Sequence, residues 1–195
     1  KGVMEVEMTM TPFIEGMMEA FKAHNSQRKR TTPVPEGLQL TRQLKHRDSP
    51  VHAAKAQEII DRGYQRLLGM LLWAARGVFP ECLVGTSLLG RVMAAPTEEA
   101  WAAAVHMMHY MHQRRYRGIK SSSASEITAP LVHVDASNKP DPSDSKCQYG
   151  YVIKWMGGPI VSASRKLNHI GLSAAHNEYM ALHWAIRHTM WLREL

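Results

Sequence analysis

The sequence predicts an α+β protein in which a mostly helical N-terminal part is followed by a partial mixed sheet with one packing helix. Two observations lead to this fold class. Apolar residues recur at helical spacing through much of 1–118, and after residue 130 the pattern changes to short strands. A Ser-rich stretch separates the two patterns and is interpreted as a linker. The predicted organisation is therefore a domain over 1–118, a linker over 119–130 and a second domain over 131–195.

The N-terminal part is predicted to begin with a short strand. Residues 3–10 alternate in part between apolar and polar side chains, and Thr11-Pro12 can then open a helix. The next stretch, 26–50, contains a basic run and several prolines, so it is expected to be an extended connector. Three helices are predicted to follow the connector, over 52–75, 79–93 and 97–115.

Three strands are predicted in the C-terminal part, at about 131–136, 147–155 and 159–164. Ser173 is then expected to cap a helix that continues to the end of the sequence. The first strand ends on Asp135, and the helix carries Glu178 on its inward side. Two facing acids at such a position are unfavourable unless a cation joins them, and a divalent metal commonly does so. The pair suggests metal-assisted phosphodiester cleavage.

The composition describes a folded, basic chain. Hydrophobic residues make up 45% of the 195 residues, and the formal net charge is +7. No apolar run reaches the roughly 18 residues needed to span a bilayer, and no signal-peptide pattern is present. Cys82 and Cys147 lie far apart without zinc-ligand spacing, so neither a disulfide framework nor a metal knuckle is indicated. These features favour an intracellular protein, cytoplasmic or nuclear, with no membrane partner.

Motifs in both parts occur in the order and spacing of one known family. In the N-terminal part, 63–73 is similar to Y-R-x-L-x-G-S-L-L-Y, and 101–111 to W-x-A-A-K-R-I-L-R-Y-L. In the C-terminal part, 135–141 is similar to D-A-D-W-A-G-D, and 172–182 to L-S-S-T-E-A-E-Y-I-A-L. Together these segments resemble the copia-type (Ty-family) retrotransposon Pol polyprotein, from the end of its reverse transcriptase into its ribonuclease H domain. The sequence begins at Lys1 and is expected to be a fragment of that longer chain.

The resemblance implies a chemistry for the C-terminal part. Ribonuclease H enzymes cleave the RNA strand of RNA:DNA hybrids with two Mg²⁺ ions about 4 Å apart. By this resemblance Asp135 and Glu178 are expected to be catalytic metal ligands, although Ser137 and His176 replace acids of the family pattern. The other catalytic acids, and the Y-V-D-D strand of the polymerase, belong to regions outside this sequence. The segment alone is therefore expected to be inactive, and its partners would be an RNA:DNA hybrid and the remainder of the polyprotein.

Basic residues are the candidates for sequence-independent phosphate contacts. They are Arg28, Lys29, Arg30, Arg114, Arg115, Arg117 and Lys120. A run such as that at 28–30 is more often a solvated loop than a phosphate-binding segment. His106, His109 and His112 recur every three residues and spiral round a helix, so they are interpreted as a polar helix face and not as a metal site.

Other functions stay open at this point. Without the resemblance, Asp135 and Glu178 could be a loop acid and a solvated helix residue. A second possibility is a non-catalytic remnant of a transposable element whose basic helical half binds nucleic acid or a protein. A third is an integrase-type strand-transfer core, but three strands followed directly by the helix of Glu178 fit the nuclease order better.

Overall fold

The computed structural model describes residues 2–22, 28–38, 40, 50–126, 129–138, 141 and 144–194. Their helices and strands confirm the predicted α+β class. The chain divides into two units, and each is described by itself. The helical unit contains the described residues of 9–117, and the sheet unit contains those of 1–8 and 118–195. Residues 26–27, 39 and 41–49 of the predicted connector lie outside the described residues.

The helical unit packs its helices around an apolar core. Its helices, within the described residues, are α1 (Thr11–Ala20), α2 (Pro50–Asp61), α3 (Tyr64–Gly77), α4 (Leu83–Arg91) and α5 (Glu98–Gln113). Thr97 caps α5, because its side-chain oxygen accepts a hydrogen bond from the backbone N–H of Ala100. Fully buried core residues include Ile14, Met17, Leu67, Leu71, Phe79, Met107 and Met108.

The predicted helix over 52–75 is wrong in one respect, because the structure contains two helices there. Gly63 separates α2 from α3 and has φ of 97°, a left-handed conformation that glycine adopts without a Cβ penalty. A Cβ at this position would lie 3.3 Å from the Phe21 ring. The predicted helix over 79–93 also begins differently. A 3₁₀ turn, Pro80–Cys82, precedes α4.

The described residues of the sheet unit form two small sheets and one long helix. Its elements are β1 (Glu5–Thr9), β2 (Gly118–Ser122), β3 (Leu131–Ala136), β4 (Gln148–Trp155), β5 (Gly158–Lys166) and α6 (Ala174–Arg193). β1 pairs with β2, and β3, β4 and β5 form an antiparallel sheet in that order. The first residues of the segment that was predicted to be a linker therefore form strand β2. The strands predicted after residue 130 are confirmed to within two residues.

Helix α6 covers one face of the three-stranded sheet. Tyr149, Tyr151 and Ile153 of β4 are buried on this face together with Ala181 and Ala185 of α6. Ser173 caps the helix as predicted, since its Oγ accepts a hydrogen bond from the backbone N–H of residue 176 at 3.1 Å. No helix within the described ranges is long and apolar enough to cross a lipid bilayer.

Candidate active site and nucleic-acid interface

Glu178 lies beside the end of strand β3. Its Oε1 accepts a hydrogen bond from the backbone N–H of Ala136, with an N to O distance of 3.3 Å. The Ala136 nitrogen is two covalent bonds from the Asp135 Cα, so this carboxylate oxygen lies within about 6 Å of that Cα. The Asp135 and Glu178 residues are both exposed. Packing of α6 against β3 thus places the Glu178 carboxylate beside the backbone that follows Asp135.

The two acids approach the strand end from different sides. Side chains alternate along β3, so Ala136 points toward α6 and Asp135 points to the opposite face of the sheet. The backbone N–H of Ser137 donates to the carbonyl oxygen of Gln148 on β4, at 2.8 Å. The Ala136 N–H consequently points to the other edge of β3, which pairs with no described strand. A cation shared by the two acids would lie at this edge.

Two carboxylates lie next to this edge, that of Glu178 on the α6 side and that of Asp135 on the other side. Mg²⁺ keeps several waters and is usually bound by one or two carboxylates together with substrate phosphates. Asp135 and Glu178 supply two carboxylates of this kind. Across the described ranges, no group of three or more His, Cys, Asp or Glu side chains is placed to hold a metal. A second ion would therefore need ligands beyond those of the described residues.

Asp141 and Asp144 form ion pairs within the sheet unit. Lys166 Nζ lies 2.6 Å from Asp141 Oδ2 and 3.0 Å from Asp144 Oδ2. The Asp141 side chain is only 3% exposed. These ion pairs attach the loop between β3 and β4 to strand β5.

Several of the predicted phosphate contacts have acidic partners within the chain. The pairs are Arg115 with Glu15 at 3.2 Å, Arg117 with Glu81 at 2.8 Å and Lys120 with Glu7 at 3.5 Å. Exposed pairs of this type contribute little to stability and can exchange partners. Each pair nevertheless reduces the positive charge that these side chains present to a polyanion.

The segment at 28–30 contacts the C-terminal end of α5. The Arg30 backbone N–H donates to Gln113 Oε1, and Gln113 Nε2 donates to the Arg28 carbonyl oxygen, both at 2.8 Å. The Arg114 guanidinium donates to the Arg30 carbonyl oxygen at 2.9 Å and lies 3.9 Å from the Tyr110 ring centroid. The negative end of the helix dipole favours cations here. The predicted contacts that the structure brings together at this helix end are Arg28, Lys29, Arg30 and Arg114.

The three histidines of α5 do not form a uniform polar face. His109 is buried, so the interpretation as a polar face is wrong for this residue. His106 Nε2 lies 2.9 Å from the carbonyl oxygen of Thr32, and burial lowers the pKa of His106. Burial also lowers the pKa of His112, with the neighbouring Arg115 guanidinium acting in the same direction. At His106 and His112 these environments favour the neutral ring.

An exposed surface that the sequence analysis missed lies on α3. Trp73 is 63% exposed, and Gln65 and Gly69 precede it at four-residue spacing on the same helix face. No atom lies within 4 Å of a Cβ placed on Gly69, so this part of the face is open. Arg66 and Arg76 are exposed beside it. We call these five residues the α3 outer surface.

A signal for this surface was present in the sequence. The buried residues Leu67, Leu71 and Ala74 follow the helical period of α3, and Trp73 falls outside their stripe. Single exposed apolar residues are common on protein surfaces, so Trp73 is of interest because Arg66 and Arg76 flank it on the same helix. The motif at 63–73 identifies this stretch by its residue types. It does not show which side chains of the helix face solvent.

The chain is similar to curated proteins of two kinds. It is 26% identical over 130 residues to the secreted RxLR effector protein 161 of Plasmopara viticola, an alignment that covers 66% of this chain and 90% of that protein. It is 21% identical over 186 residues to the retrovirus-related Pol polyprotein from transposon TNT 1-94 of Nicotiana tabacum, covering 95% of this chain. It is 29% identical over 107 residues, 55% of this chain, to a putative transposon Ty5-1 protein of Saccharomyces cerevisiae.

The two transposon proteins are much longer than the regions they share with this chain. The alignments cover 14% of the Nicotiana polyprotein and 34% of the yeast protein. No protein-family model matches the chain, and no solved structure matches it either. These distant similarities support a transposon-related origin for the sequence.

Proposed function

We propose that the chain is a segment of a copia-type retrotransposon Pol polyprotein, from the end of the reverse transcriptase into the ribonuclease H. The intact parent would cleave the RNA strand of RNA:DNA hybrids with Mg²⁺. The contact between the Glu178 carboxylate and the Ala136 N–H, next to Asp135, carries this proposal. The similarity to the Nicotiana polyprotein, over 95% of this chain, supports the proposed origin.

The two acids have distinct positions in the proposed site. The Ala136 N–H fixes Oε1 of Glu178, which leaves Oε2 available to a cation, while Asp135 offers its carboxylate from the other face of the strand. When bound, Mg²⁺ would stabilise negative charge on the phosphate and help activate a water molecule. Since two acids are fewer than the ribonuclease H mechanism requires, the segment is expected to bind the ion weakly and to leave a hybrid uncleaved.

The metal site can be tested without activity. Mn²⁺, used as a paramagnetic probe in place of Mg²⁺, is expected to broaden the amide NMR signals of Asp135 and Ala136 in the ¹⁵N-labelled full chain. Asp135→Asn and Glu178→Gln should each weaken Mn²⁺ binding about tenfold or more, because each removes one carboxylate ligand. The concentration of Mn²⁺ needed for half-maximal broadening measures this change.

Asp144→Asn is the matched control for this experiment. It also removes one carboxylate from the sheet unit, but Asp144 pairs with Lys166 and is expected to leave the broadening unchanged. The proposal fails if Mn²⁺ leaves the Ala136 signal sharp, or if all three variants respond like the unmodified chain. Incubation of a labelled RNA:DNA hybrid with Mg²⁺ provides a second readout. Cleavage of the hybrid by the Asp135→Asn variant would mean that the activity does not come from the proposed site.

The helical unit is proposed to hold nucleic acid through the α3 outer surface. Trp73 offers an exposed aromatic ring, Arg66 and Arg76 offer charge, and Gly69 leaves room for close approach of a backbone. Stacking of a base on an aromatic side chain contributes about 1–3 kcal/mol. The parent polymerase would bind nucleic acid through this surface, and a non-catalytic remnant would bind it in the same way.

Trp73→Ala is expected to lower the affinity of the chain for a fluorescein-labelled RNA:DNA hybrid with an unpaired RNA overhang about tenfold, measured by anisotropy at fixed salt, because the unpaired bases can stack on the ring. Trp191→Ala is the matched control, since Trp191 is 56% exposed but lies on α6 in the sheet unit. The assignment of the α3 outer surface is refuted if Trp73→Ala binds the hybrid as tightly as the control does.

The similarity to the RxLR effector favours a second candidate function. That protein is named a secreted effector, and the alignment covers 90% of its length. A chain of this size could therefore act as a non-catalytic remnant that binds nucleic acid or a protein. Hybrid binding without any Mn²⁺ broadening at Ala136 would support this second function over the first.

A further inference from the structure

Helix α6 has a row of exposed apolar side chains on its outer side. The members are between 41% and 70% exposed, and we call them the α6 outer stripe: Tyr179, Leu182, Ile186 and Met190. At 100° per residue, the four side chains lie within about 80° of the helix circumference. Ala181 and Ala185, which pack on the sheet, lie on the inner side of the same helix.

An apolar outer side is unusual for a helix at a protein surface. Such a helix normally carries polar residues on the side away from the core, and a helix that is apolar on both sides is normally covered on both. Exposed apolar side chains that form one patch commonly mark an interaction surface. The stripe spacing makes its members neighbours along the helix, so they form one patch. We therefore expect a partner to cover the outer side of α6.

Two opposite charges border the stripe, one near each end. Glu178 comes one residue before the first member, and Arg193 comes three residues after the last. Both lie within about 40° of Leu182 around the helix, so they border the same side of the stripe. They are about 22 Å apart along the helix axis and cannot pair within one chain. Within the described ranges, no acid forms an ion pair with Arg193.

We propose that the α6 outer stripe binds a second copy of the chain, with the two helices antiparallel about a twofold axis. An axis that passes between Leu182 and Ile186 brings these two residues of one copy next to the same two of the other. The same axis places Tyr179 of each copy level with Met190 of the other. All four members of the stripe are then covered by equivalent members, as in an isologous interface.

Charge complementarity identifies the second copy as the occupant and fixes its direction. A twofold axis perpendicular to both helices brings the same side of each stripe together. Glu178 of one copy therefore meets Arg193 of the other, and symmetry forms this pair twice. A parallel pair of helices would instead place each of these charges level with its own equivalent. Antiparallel pairing also opposes the two helix dipoles.

The size of the stripe predicts a weak dimer. One helix face with four large side chains buries on the order of 500 Å² per copy, less than the roughly 800 Å² per partner of a standard interface. We expect a dissociation constant on the order of 10–100 µM. Self-association of this kind needs neither the metal nor the nucleic acid of the proposed function.

Sedimentation velocity of the full chain without divalent ions, from about 1 to about 200 µM, measures the dimer. Ile186→Asp is expected to abolish it, because two carboxylates would then lie together at the centre of the interface. Ile186 is exposed in the single chain, so this change should leave the fold intact. Trp191→Ala is the matched control, since it removes an exposed apolar side chain of α6 outside the stripe and should leave the dimer unchanged.

Charge reversal tests the pairing of Glu178 with Arg193. Arg193→Glu and Glu178→Lys are each expected to weaken the dimer about tenfold, because each replaces two attractions by two repulsions. The two changes combined in one chain should restore most of the affinity, since both pairs form again with reversed polarity. Rescue of this kind requires two chains, because the residues are too far apart within one helix.

Disulfide trapping tests the direction of the helices. Tyr179→Cys combined with Met190→Cys is expected to give a covalent dimer on mild oxidation, while Cys82 and Cys147 are buried and should not react. Tyr179→Cys alone should not cross-link, because its two copies would lie about 16 Å apart along the antiparallel helices. A chain that stays monomeric at the highest concentration overturns the inference. So does equal dimerisation of Ile186→Asp and Trp191→Ala, or efficient cross-linking of Tyr179→Cys alone.

Discussion

Replacing Lys166 with methionine is expected to destabilise the sheet unit by about 3–5 kcal/mol, the usual loss when one partner of a buried ion pair is removed. Lys166 Nζ lies 2.6 Å from Asp141 Oδ2, and the Asp141 side chain is 3% exposed. Methionine preserves the apolar stem but removes the ammonium group, so the Asp141 carboxylate would stay buried without its cation. Native-state hydrogen exchange of the β4 amides measures this loss in the sheet unit alone.

Asp144→Ala is the control for the Lys166 variant. Asp144 contacts the same ammonium group, but its side chain is 37% exposed, so its removal is expected to cost less than about 1 kcal/mol. A double change of Asp141→Asn with Lys166→Met should recover part of the loss, since no buried charge then remains at the pair. Equal exchange rates in Lys166→Met and Asp144→Ala would contradict the buried ion pair.

Local sequence signals predicted much of the fold. Ser173 was identified as the cap of α6 because an N-cap is recognised from its own side chain and the helical pattern after it. The break at Gly63 was missed because apolar residues continue at helical spacing on both sides, and a single glycine is tolerated inside many helices. Its left-handed φ depends on how α2 and α3 pack beside Phe21, which no local pattern contains.

The candidate site was only partly predictable. The resemblance singled out Asp135 and Glu178, but the bond from the Ala136 N–H to Glu178 joins residues 42 positions apart and exists only because α6 packs on β3. For the basic residues, the charges are evident from the sequence, but their ion-pair partners are not. A count of charges cannot reveal that Arg115 pairs with Glu15, since the partner lies 100 residues away.

Leu71→Ala is expected to destabilise the helical unit by about 3–4 kcal/mol, whereas Leu72→Ala should cost less than about 1 kcal/mol. The two variants make the same chemical change on adjacent residues of α3. Leu71 is fully buried, so its truncation leaves a cavity, and Leu72 is 38% exposed. Hydrogen exchange of the α5 amides, which lie in the same unit, measures both losses.

This comparison also tests the α3 outer surface. The direction of the Trp73 ring depends on which side of α3 faces the core, and Leu71 lies on the buried side. If the two truncations were equally destabilising, α3 would present a different face to solvent than the structure describes. Trp73 would then contact the core, and a loss of hybrid binding in Trp73→Ala would report damage to the helical unit. A large difference between the leucines therefore has to be established before the Trp73 result can be assigned to nucleic acid.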